Sequence, residues 1–236
     1  MSPPRRFALI AAAGASTRFG GAEPKLYALL GGVPVLRRSI SALNDALALD
    51  AVFVVLAADD ALYAERIGAL PGVVPLPCGG RTRAESVSNG LAAIGKHAAA
   101  DDWVLVHDAA RPCVDVPTLH RLLNELEDEP VGGLLAIPLA DTLKRAEPGA
   151  GLRVSSTEDR AGLWCAQTPQ MFRYAILHHA LQQAAGKALT DEAQAVEALG
   201  VKPRLIQGSP ANIKVTYPED LALAEAILGQ RARNRT

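Results

Sequence analysis

Phe7-Ala8-Leu9-Ile10-Ala11-Ala12-Ala13-Gly14-Ala15-Ser16-Thr17-Arg18 is the stretch on which the fold turns. An unbroken apolar run that stops at glycine reads as a buried strand opening into a loop of small residues. Small side chains there let backbone N–H groups come close to an anion. Arg18 and, after Pro24, Lys25 bring positive charge to the same loop. The loop lacks the terminal Gly-Lys-Ser/Thr of a Walker motif and the G-x-G-x-x-G of a dinucleotide site. On local pattern alone, a plain strand–turn with solvated charges fits as well. Arg5-Arg6 ahead of the apolar run imitates an export signal, but the run sits at the short limit for one. The strand reading is preferred, and the expected location is cytoplasmic.

Moving outward, short apolar runs alternate with longer amphipathic ones. Strands are expected at 7–13, 51–57, 73–74, 103–107, 131–137 and 204–207. Helices are expected at 33–49, 59–70, 82–97, 117–129, 172–185, 191–199 and 218–228, with Thr190 as an N-cap and residues 230–236 frayed. This alternation predicts an α/β fold whose mostly parallel sheet carries helices on both faces. The rhythm breaks from Asp141 to about Asp159, where a polar stretch surrounds Pro148-Gly149 and Gly151. Thr142–Arg145 and Leu152–Ser155 flank that turn and read as a two-stranded arm. A free hairpin is barely stable in water, so the arm is expected to dock, most simply on a second copy of the chain.

Composition narrows the function classes. The 236 residues are 49% apolar and 21% charged, enough for one sizeable core. A formal net charge of -1 argues against a broadly basic nucleic-acid binder while allowing a local basic pocket. The three cysteines, Cys78, Cys113 and Cys165, are scattered and form no CxxC pair, so neither a zinc site nor a disulfide framework is signalled. No run reaches the ~18 apolar residues of a membrane span.

Four segments carry candidate chemistry. The first is the loop from Ala12 to Lys25. The second is His107-Asp108-Ala109-Ala110-Arg111-Pro112, at the end of the strand 103–107. Ligands of open α/β sheets bind beyond such strand ends. A lone aspartate there suits Mg²⁺, which takes one or two protein carboxylates plus phosphate oxygens. Alternatively Asp108 caps a turn and pairs with Arg111. His107 reads as structural, because no G-x-S-x-G elbow supplies a nucleophile for it. The third is Cys78-Gly79-Gly80-Arg81-Thr82-Arg83-Ala84-Glu85-Ser86-Val87, a turn before a helix start. The fourth is Asn212-Ile213-Lys214-Val215-Thr216, whose lysine is either a phosphate contact or a surface residue. Asp101-Asp102 reads as a solvated turn.

Together these segments resemble the 2-C-methyl-D-erythritol 4-phosphate cytidylyltransferases of the non-mevalonate isoprenoid pathway. The likeness runs from Phe7 to about Leu228 and keeps the family order: Ala12-Ala13-Gly14 through Arg18, Pro24-Lys25, Gly79-Gly80, Ser86-Val87 and Val104 to Pro112. Asp141 to Arg145, Asp159 to Trp164, Gln167 to Gln170, Thr190 to Ala193, Asn212 to Thr216 and Pro218 to Ala224 follow. Arg81, Glu85, Ala211 and Ala11 depart from residues frequent in the family.

The resemblance implies a single-domain Rossmann-like nucleotidyltransferase fold over residues 1–236, with a dimerisation β-arm at about 138–161. It implies CMP transfer from CTP to 2-C-methyl-D-erythritol 4-phosphate, assisted by Mg²⁺ or another divalent cation. Arg18 and Lys25 would be catalytic. Ala12, Ala13, Gly14, Ser16, Gly80, Ser86, Ala109 and Lys214 would bind CTP. Arg111, Thr142, Arg160, Thr190 and again Lys214 would bind the acceptor, and Asp108 the metal. The partners implied are small-molecule substrates and a second copy whose arm completes each site, with no nucleic acid and no membrane. The rivals are a cytidylyltransferase for another sugar-alcohol phosphate, such as ribitol 5-phosphate, and a noncatalytic nucleotide-binding module.

Overall fold

The computed structural model describes residues 3–14, 19, 24–149 and 151–234. In chain order the elements are β1 (Arg6–Ala11), β2 (Leu29–Leu30), β3 (Val33–Pro34), α1 (Val35–Asn44), β4 (Ala51–Val55), α2 (Tyr63–Arg66), β5 (Val73–Leu76), α3 (Arg83–Ile94) and β6 (Trp103–Asp108). They continue with α4 (Val116–Leu126), β7 (Gly132–Pro138), β8 (Leu143–Ala146), β9 (Val154–Glu158), β10 (Trp164–Arg173), α5 (Tyr174–Gln183), α6 (Glu192–Glu197), β11 (Arg204–Gln207) and α7 (Glu219–Arg233).

Among the described residues, seven strands form one sheet in the order β11-β7-β10-β6-β1-β4-β5. The pairs β1–β4, β1–β6, β4–β5 and β11–β7 are parallel, and β10 runs antiparallel to both β6 and β7. The apolar runs are continuous because both faces of the sheet are covered. Along β1, Ala8 and Ile10 face a core shared with Leu36, Ile40, Leu119 and Leu122 of α1 and α4. Phe7 and Leu9 face the other core, with Val87 and Leu91 of α3 and Leu177 of α5. All six residues of β6 are buried, as befits a central strand.

Local chemistry sets the helix ends. Thr82 caps α3 by accepting from the Glu85 amide at 3.1 Å, and Asp115 caps α4 by accepting from the Thr118 amide at 2.9 Å. Gly90 lets α3 lie against the sheet, since a Cβ there would overlap the methyls of Leu9 and Val55. The antiparallel pair β8–β9 contributes nothing to the buried cores, and Leu152 in its connection and Val154 at the start of β9 are 95% and 62% exposed.

Several expectations are corrected. Residues 164–173 form a ten-residue strand, β10, where none was expected, and α5 therefore starts at Tyr174 instead of Phe172. Residues 33–34 pair as β3, so α1 starts at Val35. The 59–70 helix shrinks to α2, because the Asp60 carboxylate accepts from the Leu62 and Tyr63 amides and Gly68 turns to φ 72° just after it. Asp191, not Thr190, caps α6, accepting from the Gln194 amide at 2.9 Å. Asp102 is buried and paired with Arg5 at 2.9 Å, so it is no solvated turn. Residues 230–233 continue α7 in place of a frayed tail.

Candidate active site

A cleft of about 370 Å³ opens beyond the carboxyl ends of β1 and β6. Ala11, Ala13 and Gly14 from the end of β1 line it, with Lys25 and Leu26 beside them. Gly80, Arg81, Thr82, Arg83 and Ser86 form the wall at the start of α3, and Asp108, Ala109, Ala110 and Lys214 complete it. Thus four cations, Lys25, Arg81, Arg83 and Lys214, line the same cleft as the Asp108 carboxylate, a charge balance that suits a polyphosphate.

Each wall is fixed by named contacts. Gly79 sits against the end of β1, where a Cβ would collide with Ala13 and with the Leu56 carbonyl. The Gly80 amide donates to Ser86 Oγ at 3.0 Å, and that hydroxyl donates to the Thr82 carbonyl at 2.9 Å. Ser39 of α1 donates to the Ala109 carbonyl at 2.7 Å. The Lys214 segment is anchored by Val215 N to the Ala110 carbonyl at 2.8 Å, and Asp220 accepts from the amides of Thr216 and Tyr217 at its far end.

Asp108 is the centre of the charge network. Its Oδ1 accepts from Arg83 Nε at 2.9 Å. Its Oδ2 lies 2.8 Å from Lys214 Nζ and 3.5 Å from Arg111 Nε. Burial alone would raise the carboxyl pKa, but Arg83, Lys214 and Arg111 outweigh it and hold the group well below the usual carboxylate range. Asp108 is therefore an anion at any physiological pH.

Beneath it, Thr168 Oγ1 accepts from the Asp108 amide at 3.0 Å and lies 3.0 Å from His107 Nδ1. His107 Nε2 is 3.1 Å from the Arg111 carbonyl. The carbonyl requires Nε2 to carry a proton and donate, and in the neutral imidazole that burial favours, the Thr168 hydroxyl donates to Nδ1. Burial, helped by Arg111 and Arg83, pushes the His107 pKa down to about 4. Asn212 donates to the Thr168 carbonyl at 2.9 Å, so β10 braces both β6 and the Lys214 segment.

The sequence-selected residues divide clearly. Ala13, Gly14, Lys25, Gly80, Ser86, Asp108, Ala109 and Lys214 line the cleft. Ala12 lies behind it, with its amide bonded to the Val55 carbonyl at 2.9 Å. Arg111 turns inward and donates to the Asn212 carbonyl at 2.7 Å. Thr142, Arg160 and Thr190 are exposed and do not line the cleft of their own chain. Ser16 and Arg18 lie outside the described residues. Arg83, Glu192 and Thr168 had no role assigned from sequence. Arg83 and Glu192 sit inside the segments singled out, and only their burial and pairing distinguish them.

Comparison with known proteins decides the family. The model of the 2-C-methyl-D-erythritol 4-phosphate cytidylyltransferases matches residues 7–230. The chain belongs to this family. It is 52% identical over 230 residues to the 2-C-methyl-D-erythritol 4-phosphate cytidylyltransferase of Dechloromonas aromatica (strain RCB), covering 97% of this chain and 99% of that one. The cytidylyltransferase of the same description from Nitrosospira multiformis is 51% identical, covering 94% and 97%. A crystal structure of 4-diphosphocytidyl-2C-methyl-D-erythritol synthase superposes with a TM-score of 0.85 at 41% identity, covering 96% of this chain and all of that one. This cytidylyltransferase family accordingly supplies the frame for reading the cleft.

Proposed function

We propose that the cleft transfers CMP from CTP to 2-C-methyl-D-erythritol 4-phosphate, giving 4-diphosphocytidyl-2-C-methyl-D-erythritol and pyrophosphate. The observation that carries this reading is the cationic cleft around Asp108 at the strand ends, in a chain of the cytidylyltransferase family. An acceptor phosphate oxygen attacks the α-phosphorus of CTP, the new P–O bond forms, and the bond to pyrophosphate breaks. The acceptor phosphate has a second pKa of about 6 and is mostly dianionic at neutral pH, so no general base is required. The neutral, fully bonded His107 accords with that. The difficulty is electrostatic, since two anions must meet and charge must move onto the leaving group. Lys25 at the loop, with Arg18, would stabilise that charge. Lys214 and the Ala13–Gly14 turn would hold the nucleotide, and the Gly80–Ser86 wall would border its base and ribose.

Among the described residues, Asp108 is the one carboxylate lining the cleft, and no cluster of three or more His, Cys, Asp or Glu could hold a metal ion. That donor set fits Mg²⁺, which shares one carboxylate with phosphate oxygens and water. Asp108 would hold the ion together with nucleotide oxygens, where it would add positive charge against the phosphates.

The acceptor subsite is completed, in this reading, by the β8–β9 arm of a second copy. Supporting this, Thr142 and Arg160 flank the arm and lie away from their own cleft, and the arm exposes Leu152 and Val154. The single domain spans the whole chain in this reading, with the arm as its dimerisation element. A cytoplasmic location is supported by the free thiols of Cys78, Cys113 and Cys165. No helix among the described residues is long and apolar enough to cross a membrane. Pyrophosphate release from CTP, measured with a panel of sugar-alcohol phosphates, tests the proposal: release should require 2-C-methyl-D-erythritol 4-phosphate and a divalent cation.

A further inference from the structure

Glu192, the first residue of α6, is 1% exposed. A carboxylate taken out of water needs a well-formed partner. Its partner is Arg83, the first residue of α3, whose Nη1 and Nη2 reach Glu192 Oε1 and Oε2 at 2.5 and 3.1 Å. The remaining nitrogen, Nε, donates to Asp108 Oδ1 at 2.9 Å. One planar guanidinium therefore satisfies two carboxylates and ties α3, α6 and the end of β6 together at a single point. Glu192 is 109 residues from Arg83, and Asp108 is 25 residues from it.

This arrangement differs from that of Lys214, whose ammonium reaches Asp108 Oδ2 from the half-exposed side of the cleft. Arg83 has both fork nitrogens turned toward a buried anion, and its charge is balanced from behind the cleft wall. It is poorly placed to follow a moving phosphate and well placed to fix a carboxylate. With Oδ1 held by Arg83, the second oxygen of Asp108 faces Lys214 at 2.8 Å. We infer that Arg83, locked by the buried Glu192, is a positioning residue that sets the orientation of the Asp108 carboxylate for the transfer reaction. The inference rests on the reading of Asp108 as a working residue of the proposed site. A guanidinium is needed because a lysine ammonium has no fork with which to bridge both carboxylates. Preorganised groups behind a reacting centre are commonly worth 10- to 100-fold in activity.

The test removes the pair singly and together. Arg83→Met leaves Glu192 buried without its guanidinium, and Glu192→Met leaves both fork nitrogens of Arg83 unpaired with only Nε still on Asp108, so each should lower the thermal unfolding midpoint. Arg83→Met/Glu192→Met removes both charges and should recover most of that midpoint. Its kcat for pyrophosphate release should remain about 10- to 100-fold low, with KM for CTP changed less than about threefold. Recovery of both the midpoint and kcat would make the pair purely architectural and overturn the inference.

A milder cycle covers the case in which the double variant fails to fold. Arg83→Lys should lower kcat in the otherwise unchanged chain, yet cost less than about twofold in an Asp108→Asn background, because it acts through Asp108. Equal losses in both backgrounds would overturn the inference. The outcomes also separate the two levels of the account. A chain that releases no pyrophosphate from CTP with any acceptor refutes the functional reading. An active chain, impaired by Asp108→Asn but indifferent to Arg83→Lys, refutes the positioning role alone.

Discussion

Lys214 Nζ lies 2.8 Å from Asp108 Oδ2, so a half-exposed lysine just before α7 is held by the last residue of a fully buried strand. The contact pre-aims a cation at the cleft and keeps the carboxylate ionised. It also means that a phosphate or an ion entering the cleft must compete for one of the two partners. Asp108→Asn, similar in shape but uncharged, should cut turnover about 10²- to 10³-fold at ordinary Mg²⁺, with partial recovery as Mg²⁺ is raised. A Mg²⁺ titration of kcat checks this, and an unchanged titration curve would remove Asp108 from the metal role.

Lys25 and Arg18 are expected to act on the charge that develops during transfer. Lys25→Ala and Arg18→Ala should each lower kcat about 10²- to 10³-fold, or ~3–4 kcal/mol, while circular dichroism and the unfolding midpoint stay close to those of the parent chain. Near-normal kcat in either folded variant would exclude that residue from transition-state stabilisation.

Much of the sheet is legible in the sequence because its strands are simple. The runs at Phe7 and Trp103 are apolar on both faces, and the strands β1 and β6 differ from expectation by only one or two residues at an end. Strand β10 escapes because it looks unlike a strand. Gln167, Thr168, Pro169 and Gln170 interrupt its apolar pattern, and its register with β7 shifts between Ala166 and Gln170. Those polar residues are buried because their partners come from elsewhere in the chain. Thr168 holds the Asp108 amide, and Gln170 accepts from the Ala193 amide at the start of α6. The site follows the same rule. Residues beside a strand end or a glycine turn, such as Asp108 and Gly80, announce themselves locally. The Arg83–Glu192 pair exists only once α3 and α6 have been brought together.

His107 predicts a pH dependence of stability. Its pKa is about 4 in the folded chain against an ordinary 6.5, so between those values the unfolded chain binds more protons. Stability from keeping this imidazole neutral is complete above pH 6.5 and is lost as pH falls toward 4, by about 3 kcal/mol in all. His107→Asn cannot titrate, so its unfolding free energy should change less steeply between pH 7 and 4 than that of the parent. Identical slopes would show that His107 does not stay neutral on folding.

The arm gives a complementation prediction. Lys25→Ala and Arg160→Ala chains should each be nearly inactive alone. If the arm of one copy completes the cleft of the other, random exchange yields heterodimers with one doubly defective and one intact site, and activity should return to about a quarter of the parent level. Verified subunit exchange without recovery contradicts shared sites, as does a monomer in sedimentation at the assay concentration.

The most direct test of the account is steady-state pyrophosphate release by the purified chain with CTP, Mg²⁺ and, in parallel, 2-C-methyl-D-erythritol 4-phosphate or ribitol 5-phosphate. The account predicts rapid release with the methylerythritol phosphate, formation of the diphosphocytidyl product in equal amount, and little release with the ribitol phosphate or without an acceptor. Preferential use of ribitol 5-phosphate, or CTP binding with no pyrophosphate release from any acceptor, would contradict it.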